Sequence, residues 1–174
     1  DEIQRDLDLL RQLGFNCVRF FLRWQDFEPK AGRYSAPAFR RLAQFLGWCR
    51  ERELITQPTL IVGWMSGGIF WPEWKGDRNL FSDPLLRRRA TAFATKAAKA
   101  CAPFPETILA IDQGNELCCL PDCMAAPPAA VASWCAAMSQ AIRRGCPQAL
   151  VISGNEQNQI VTDTGWRFAA QPGC

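Results

Sequence analysis

Four groups of polar and aromatic residues each follow a short apolar run in this 174-residue chain. Arg23, Trp24, Asp26 and Glu28 follow residues 17–22. Trp64, Trp71, Glu73 and Trp74 follow residues 55–62. Asp112, Asn115 and Glu116 follow residues 108–111, and Asn155, Glu156 and Asn158 follow residues 150–152. Carboxylates can act as general acids, general bases or nucleophiles. Amides and carboxylates bind hydroxyls, and indole faces stack on the apolar faces of pyranose rings. A rim made of these types suits a sugar, although each tryptophan taken singly reads equally well as a packing residue. The chain has no histidine, so Ser-His-Asp and Cys-His chemistry are excluded within it, together with most zinc sites. Chemistry must then rest on carboxylates, cysteines, lysines or tyrosine.

Such groups can share one rim only if the runs before them are parallel strands. The periodicity supports this. Ile3, Leu7, Leu10 and Leu13 recur at helical spacing and Gly14 follows as a stop. Residues 17–22 read as a strand. Ser35 reads as an N-cap with Pro37 in the first turn, and Phe39, Leu42, Leu46 and Cys49 form the apolar stripe of the helix. After the strand at 55–62 and a long loop at 63–82, Asp83-Pro84 opens a helix lined by Leu86, Ala90, Phe93 and Ala97. A strand at 108–111 follows. Pro127-Pro128 then opens a helix lined by Val131, Trp134, Met138 and Ile142, Gly145 ends it, and residues 150–152 form the last strand. Strict alternation of helix and continuous apolar strand predicts an α/β fold with a parallel sheet buried on both faces. No G-x-G-x-x-G or Walker pattern follows any strand, and the polar groups gather beyond the strand C-termini. Both features favour a partial TIM (β/α)8 barrel over a flavodoxin-like open sheet.

The third run is the most specific. Ile108-Leu109-Ala110-Ile111-Asp112-Gln113-Gly114-Asn115-Glu116 resembles the strand-four motif of clan A glycoside hydrolases, above all glycoside hydrolase family 5, in which an apolar strand ends in Asn-Glu. The resemblance implies that Glu116 is the general acid/base and that Asn115 binds the sugar 2-hydroxyl. Val18-Arg19, with Trp24-Gln25-Asp26-Phe27-Glu28-Pro29 and Gly32-Arg33-Tyr34 after it, looks like the family's second strand and loop. That likeness implies that Arg19 lies beneath the active site and supports the nucleophile. The run at 58–67 with Trp71 and Trp74 is similar to the third strand and loop of cellulase- and mannanase-like members. Ile111 stands where many members have tryptophan, and no histidine occurs near the third or fourth strand. The resemblance covers strands two to five of the barrel.

The implied function is a retaining glycoside hydrolase acting on β-linked poly- or oligosaccharides, with no cofactor or metal. The alternative is a non-catalytic carbohydrate-binding barrel. Residues 1–174 are expected to be one partial barrel domain, cut at both ends. Its nucleophile, at the end of strand seven, would lie beyond Cys174, so this stretch alone is expected to be inert. Expected partners are a carbohydrate substrate and the missing half of the barrel. Trp24, Trp64, Trp71 and Trp74 are expected to contact substrate. Glu156, which repeats the Gly-Asn-Glu triplet, is expected at the substrate rim, and Asp26, Glu28 and Glu73 as rim or surface groups.

A net charge of +3, with basic residues scattered as Arg40-Arg41, Arg87-Arg88-Arg89 and Arg143-Arg144, argues against a nucleic-acid partner. No run is long enough to span a membrane. There are nine cysteines but no C-x-x-C pair. Cys17, Cys49, Cys101 and Cys135 read as small core residues, while Cys118, Cys119 and Cys123 leave a disulfide to a distant partner open.

Overall fold

Each strand is an apolar run short enough to cross a sheet once, and each intervening helix presents one apolar stripe to cover it. In the computed structural model, which describes residues 2–154, this gives helix α1 (Glu2–Gln12), strand β1 (Cys17–Phe21), a one-turn helix α2 (Trp24–Phe27), α3 (Ala36–Glu51) and β2 (Ile55–Ile61). A small hairpin of β3 (Trp64–Met65) and β4 (Gly68–Ile69) precedes α4 (Pro84–Cys101) and β5 (Ala110–Asn115). A short α5 (Pro121–Ala125), then α6 (Pro128–Gly145) and β6 (Leu150–Gly154), complete the order. The caps fall where the residue types require them. Ser35 Oγ accepts from the Ala38 N–H at 3.3 Å, and Asp83 Oδ1 accepts from the Leu85 and Leu86 N–H groups at 2.9 and 3.0 Å.

The main sheet has the order β1-β2-β5-β6, and every pair in it is parallel. α1 packs on α3, α3 on α4, and α4 on α6. The helices therefore form one continuous layer in the same order as the strands. A doubly wound sheet would divide them between two faces, so this is a partial TIM barrel. The seam between α4 and α6 closes at Gly145, where an added Cβ would stand 2.5 Å from the Thr95 carbonyl oxygen and 2.6 Å from Ala98 Cβ. Only glycine lets the two helix backbones approach so closely.

The core runs between this helix layer and the sheet, and includes Leu46, Leu60, Ile61, Leu86, Phe93, Ile111, Trp134 and Met138, none of them exposed. Cys49, Cys101 and Cys135 are also fully buried, and Cys17 is half-buried. No helix among the described residues is long and apolar enough to cross a membrane.

The main strands differ from the sequence reading at their ends: the last runs on to Gly154, and the largest difference is in the third. The third main strand runs from Ala110 to Asn115, so the polar residues 112–115 lie within the strand instead of after it. Alternation explains how the strand tolerates them. Gln113 faces the helix layer, where its Nε2 donates to the Cys135 carbonyl at 3.2 Å and to Ser139 Oγ at 2.7 Å. Asp112 faces the other way, into a polar cluster at the C-terminal ends of the strands.

Candidate active site

The C-terminal ends of β1, β2, β5 and β6 meet at the Asp112 carboxylate, which is completely buried. Its Oδ2 accepts from Thr59 Oγ1 on β2 at 3.0 Å and from the Arg19 guanidinium on β1 at 3.0 Å. Its Oδ1 accepts from the Gly114 N–H at 3.1 Å and the Gly154 N–H of β6 at 2.8 Å. Burial holds this carboxyl above its ordinary value, with Arg19, the Gly114 N–H and Thr59 offsetting part of the rise.

Glycine is required at both backbone contacts. A Cβ at Gly154 would lie 2.5 Å from Asp112 Oδ2 and 2.7 Å from Arg19, and one at Gly114 would lie 2.7 Å from the Ile61 carbonyl oxygen. The β5–β6 register shifts between Asp112 and Asn115, in the manner of a β-bulge.

Beyond this irregularity stands Glu116, half-buried. Its backbone is left-handed, with φ 48° and ψ 40°, a conformation that costs a non-glycine residue energy and that recurs at functional positions. Two contacts hold it there. The Glu116 N–H donates to the Gly154 carbonyl at 2.7 Å, and the Glu116 carbonyl accepts from the Cys119 N–H at 2.9 Å. The side chain plays no capping part in the 3₁₀ turn that follows, Leu117–Cys119.

Asn115 is nearly buried, and both ends of its amide are engaged. Oδ1 accepts from Arg19 at 2.9 Å, and Nδ2 donates to the Trp64 carbonyl at 2.6 Å. An amide nitrogen carries two hydrogens, so one remains for a ligand. Arg19 is thus tied to Thr59, Asp112 and Asn115 at once, and its side chain is 38% exposed. The structure brings Arg19, Trp64, Asn115 and Glu116 together at one end of the sheet.

The other tryptophans separate. Trp24, expected at the rim, is fully buried. It packs edge-on against Trp74 at 5.1 Å, stacks with Phe93 at 6.1 Å, and donates from Nε1 to Glu28 at 2.9 Å. It is a core residue that cannot reach a sugar. Glu28 is likewise buried instead of lying at the rim or surface. It accepts from Arg89 Nε at 2.6 Å, from the Gly32 N–H at 2.6 Å and from Trp24. Trp74 is half-buried, and its Nε1 is spent on the Glu28 carbonyl at 2.8 Å. Trp71 keeps a partly open ring. It lies so close over Gly63 that a Cβ there would be 2.7 Å away, and Lys75 Nζ stands 5.1 Å from its centroid. Asp26 and Glu73 are exposed. Glu156, Asn155 and Asn158 lie outside the described residues.

Sequence reasoning missed three parts of the site. Thr59 and Gly154 complete the Asp112 cluster; Gly154 stands in the repeated Gly-Asn-Glu triplet, but nothing local marks either residue as a partner of Asp112. The buried Lys75 pairs with Asp122 at 3.2 Å, and Asp122 also accepts from the Leu80 N–H at 2.6 Å, which ties the loop before α4 to α5. The β3–β4 hairpin turns at Ser66-Gly67, both with positive φ of 49° and 80°. That turn was readable in principle, because a Ser-Gly pair between apolar residues marks one.

Known proteins share this fold. No family model matches the chain. An exo-β-1,4-mannosidase from Opitutaceae bacterium strain TAV5 is 54% identical and superposes with a TM-score of 0.92, over 96% of this chain and 30% of that one. GH5_18 from Streptomyces cattleya, solved in complex with GlcNAc, is 28% identical with a TM-score of 0.87, over 95% of this chain and 41% of that one. Among curated proteins, beta-galactosidase A of Aspergillus oryzae strain ATCC 42149 / RIB 40 is 34% identical over 96 residues, which is 51% of this chain and 10% of that protein. The chain spans about a third of the mannosidase and a tenth of the galactosidase. In sequence and fold alike, these residues are similar to a stretch of the barrels of family 5 glycoside hydrolases.

Proposed function

We propose that the protein containing this chain is a retaining glycoside hydrolase of β-linked sugars, with Glu116 as its general acid/base. The observation that carries the reading is Glu116 itself. It ends a buried strand, is held left-handed by the Gly154 carbonyl, and stands beside Asn115 and Arg19. In such a reaction Glu116 gives a proton to the glycosidic oxygen while a second carboxylate attacks the anomeric carbon. The C–O bond breaks and a glycosyl-enzyme forms. Glu116, now ionised, takes a proton from water as that water attacks the same carbon, and the nucleophile is released. Asn115 offers its remaining N–H to a sugar hydroxyl. Trp64 and Trp71 are the half-buried indoles left for ring contacts.

The second carboxylate belongs, on this reading, to barrel strands elsewhere in the protein, and this chain is one partial barrel domain. Two features support that. Among the described residues β1 pairs only with β2. Beside β1 an apolar hollow of about 270 Å³, lined by Ile3, Phe20, Leu22, Phe27, Leu42 and Phe45, is open to further barrel packing. The 54% identity with the exo-β-1,4-mannosidase points to β-mannosides as the substrates to try first.

The test is Glu116→Gln in the whole protein. Hydrolysis of a β-mannoside with a poor leaving group should fall by about a hundredfold or more, since a positioned acid contributes roughly that much. A dinitrophenyl β-mannoside, which needs no protonation, should still form the glycosyl-enzyme. Near-normal turnover of the poor leaving group would remove Glu116 from the role.

A further inference from the structure

We infer that Asp112, which touches no substrate, is the positioning residue that sets both the acid/base Glu116 and the arginine Arg19 in their working geometry. The inference rests on the functional reading above and extends it to a residue one strand turn below the site.

Asp112 is the point where the four strands connect. Four donors converge on two oxygens, and they come from four different strands or strand ends: Arg19 on β1, Thr59 on β2, Gly114 on β5 and Gly154 on β6. Each donor leads onward to the site. Gly154 gives its N–H to Asp112 Oδ1, and its carbonyl accepts the Glu116 N–H at 2.7 Å. Asp112 is therefore one residue away from the contact that holds Glu116 in its left-handed conformation. Gly114 N–H, also on Oδ1, fixes the chain two residues before Glu116, where the β5–β6 register shifts. On the other oxygen, Arg19 is oriented toward Asn115, whose amide in turn holds the Trp64 carbonyl.

The close approach is built in, because glycine is the only residue that fits at 114 and 154. A misplacement of reacting groups by about 1 Å can cost a hundredfold in rate without any contact to substrate being lost. A neutral amide cannot replace this carboxylate. It offers one oxygen where the carboxylate offers two, so whichever way it sits, two of the four donors lose their acceptor.

The experiment uses the whole protein and an aryl β-mannoside, with active sites counted by a 2-deoxy-2-fluoro β-mannoside that traps the nucleophile. Asp112→Asn should lower kcat per active site by about a hundredfold with KM changed less than about threefold. A residue needed only for folding would lower the melting temperature and the count of active sites while leaving kcat per site unchanged, and that result would overturn the inference. Should Asp112→Asn fail to fold, Thr59→Val decides. It removes the hydroxyl that donates to Asp112 and accepts from Arg19 Nε at 3.2 Å, and kcat per site should fall about three- to tenfold, the worth of one such hydrogen bond. An unchanged kcat in that variant also overturns it. Glu116→Gln separates the two levels of argument. If it is disabled while Asp112→Asn and Thr59→Val turn over normally, only the positioning role is lost. If it turns over normally, the acid/base reading itself is wrong.

Discussion

Asp112 and Glu28 are the two fully buried carboxylates of the described residues, and at first sight they are the same device. Each is paired with an arginine, at 3.0 Å for Arg19 and 2.6 Å for Arg89. Each accepts backbone N–H groups, from Gly114 and Gly154 in one case and from Gly32 in the other. What differs is where the partners lead. Arg19 bridges to Asn115 at the open ends of the strands. Arg89 comes from α4 and bridges to the Tyr34 hydroxyl at 2.9 Å, so that its ion pair fastens the loop after β1 to the helix layer. Burial beside an arginine is therefore no sign of a site on its own. The sign is a network that ends on a strained, half-open carboxylate, and only the Asp112 cluster has that ending.

The sharpest way to break this contrast is to remove one charge from the structural pair. Arg89→Met leaves the buried Glu28 carboxyl without its ion-pair partner, and breaking a buried pair in this way costs about 3–5 kcal/mol. Urea unfolding of the whole protein should show that loss, while kcat per active site stays as in the parent. The double variant Glu28→Gln with Arg89→Met should recover part of it, since replacing a whole buried pair is less costly than breaking it, less the one donor, Trp24 Nε1 or the Gly32 N–H, that a single amide oxygen leaves without its acceptor. A fall in kcat per site with Arg89→Met would place Glu28 and Asp112 in one functional class and dissolve the distinction drawn above.

The same contrast shows what could be read from the residues alone. The four main strands and the helices α1, α3, α4 and α6 were legible because each is a local pattern: a short apolar run, or a stripe at helical spacing bounded by Ser35, by Asp83-Pro84 or by Gly145. The motif ending in Asn115-Glu116 was legible through its resemblance to the strand-four motif of family 5 glycoside hydrolases. Asp112 was legible as a polar residue near the site but not as its hub, because Thr59 and Arg19 lie 53 and 93 residues away along the chain. Nor does any local signal announce that Glu116 is left-handed. Trp24 and Trp64 each stand just beyond an apolar strand. Phe93 and Trp74 close over one of them, and neither residue adjoins it in sequence. Glu28 read as a rim group because acidic residues are seldom buried, and the arginine that pairs with it, Arg89, lies 61 residues away along the chain.

A smaller effect tests whether Trp24 belongs wholly to the structural side. Trp24→Phe keeps an aromatic ring against Phe93 and Trp74 but deletes the Nε1–H donor to Glu28. A hydrogen bond to a charged group is worth about 1.5–3 kcal/mol, so unfolding should shift by roughly 2 kcal/mol. KM for the β-mannoside should not move. A raised KM would return Trp24 to the substrate rim, against its complete burial.

The smallest effect concerns a third way to bury an ionisable group, with no donor to receive its charge. Cys101 lies fully buried at the end of α4, and burial pushes its thiol up to about 12, with nearby Cys146 adding to the rise. Asp112 keeps four donors; this thiol stays neutral instead. In the unfolded chain a thiol ionises near its ordinary value of 9.0. Because the folded value is the higher one, the contribution to stability is complete below about pH 9 and is lost as pH rises toward about 12. Around pH 7 stability should therefore show no pH dependence from this thiol. Stability followed by urea unfolding should decline above pH 9, and in Cys101→Ala that decline should be shallower, after a packing loss of about 1 kcal/mol at every pH. Iodoacetamide at pH 8 should label Cys101 only after denaturation. Ready labelling of the native protein would show that the seam between α4 and α6 opens, and that the helix layer is less firmly closed than the buried carboxylates beneath it.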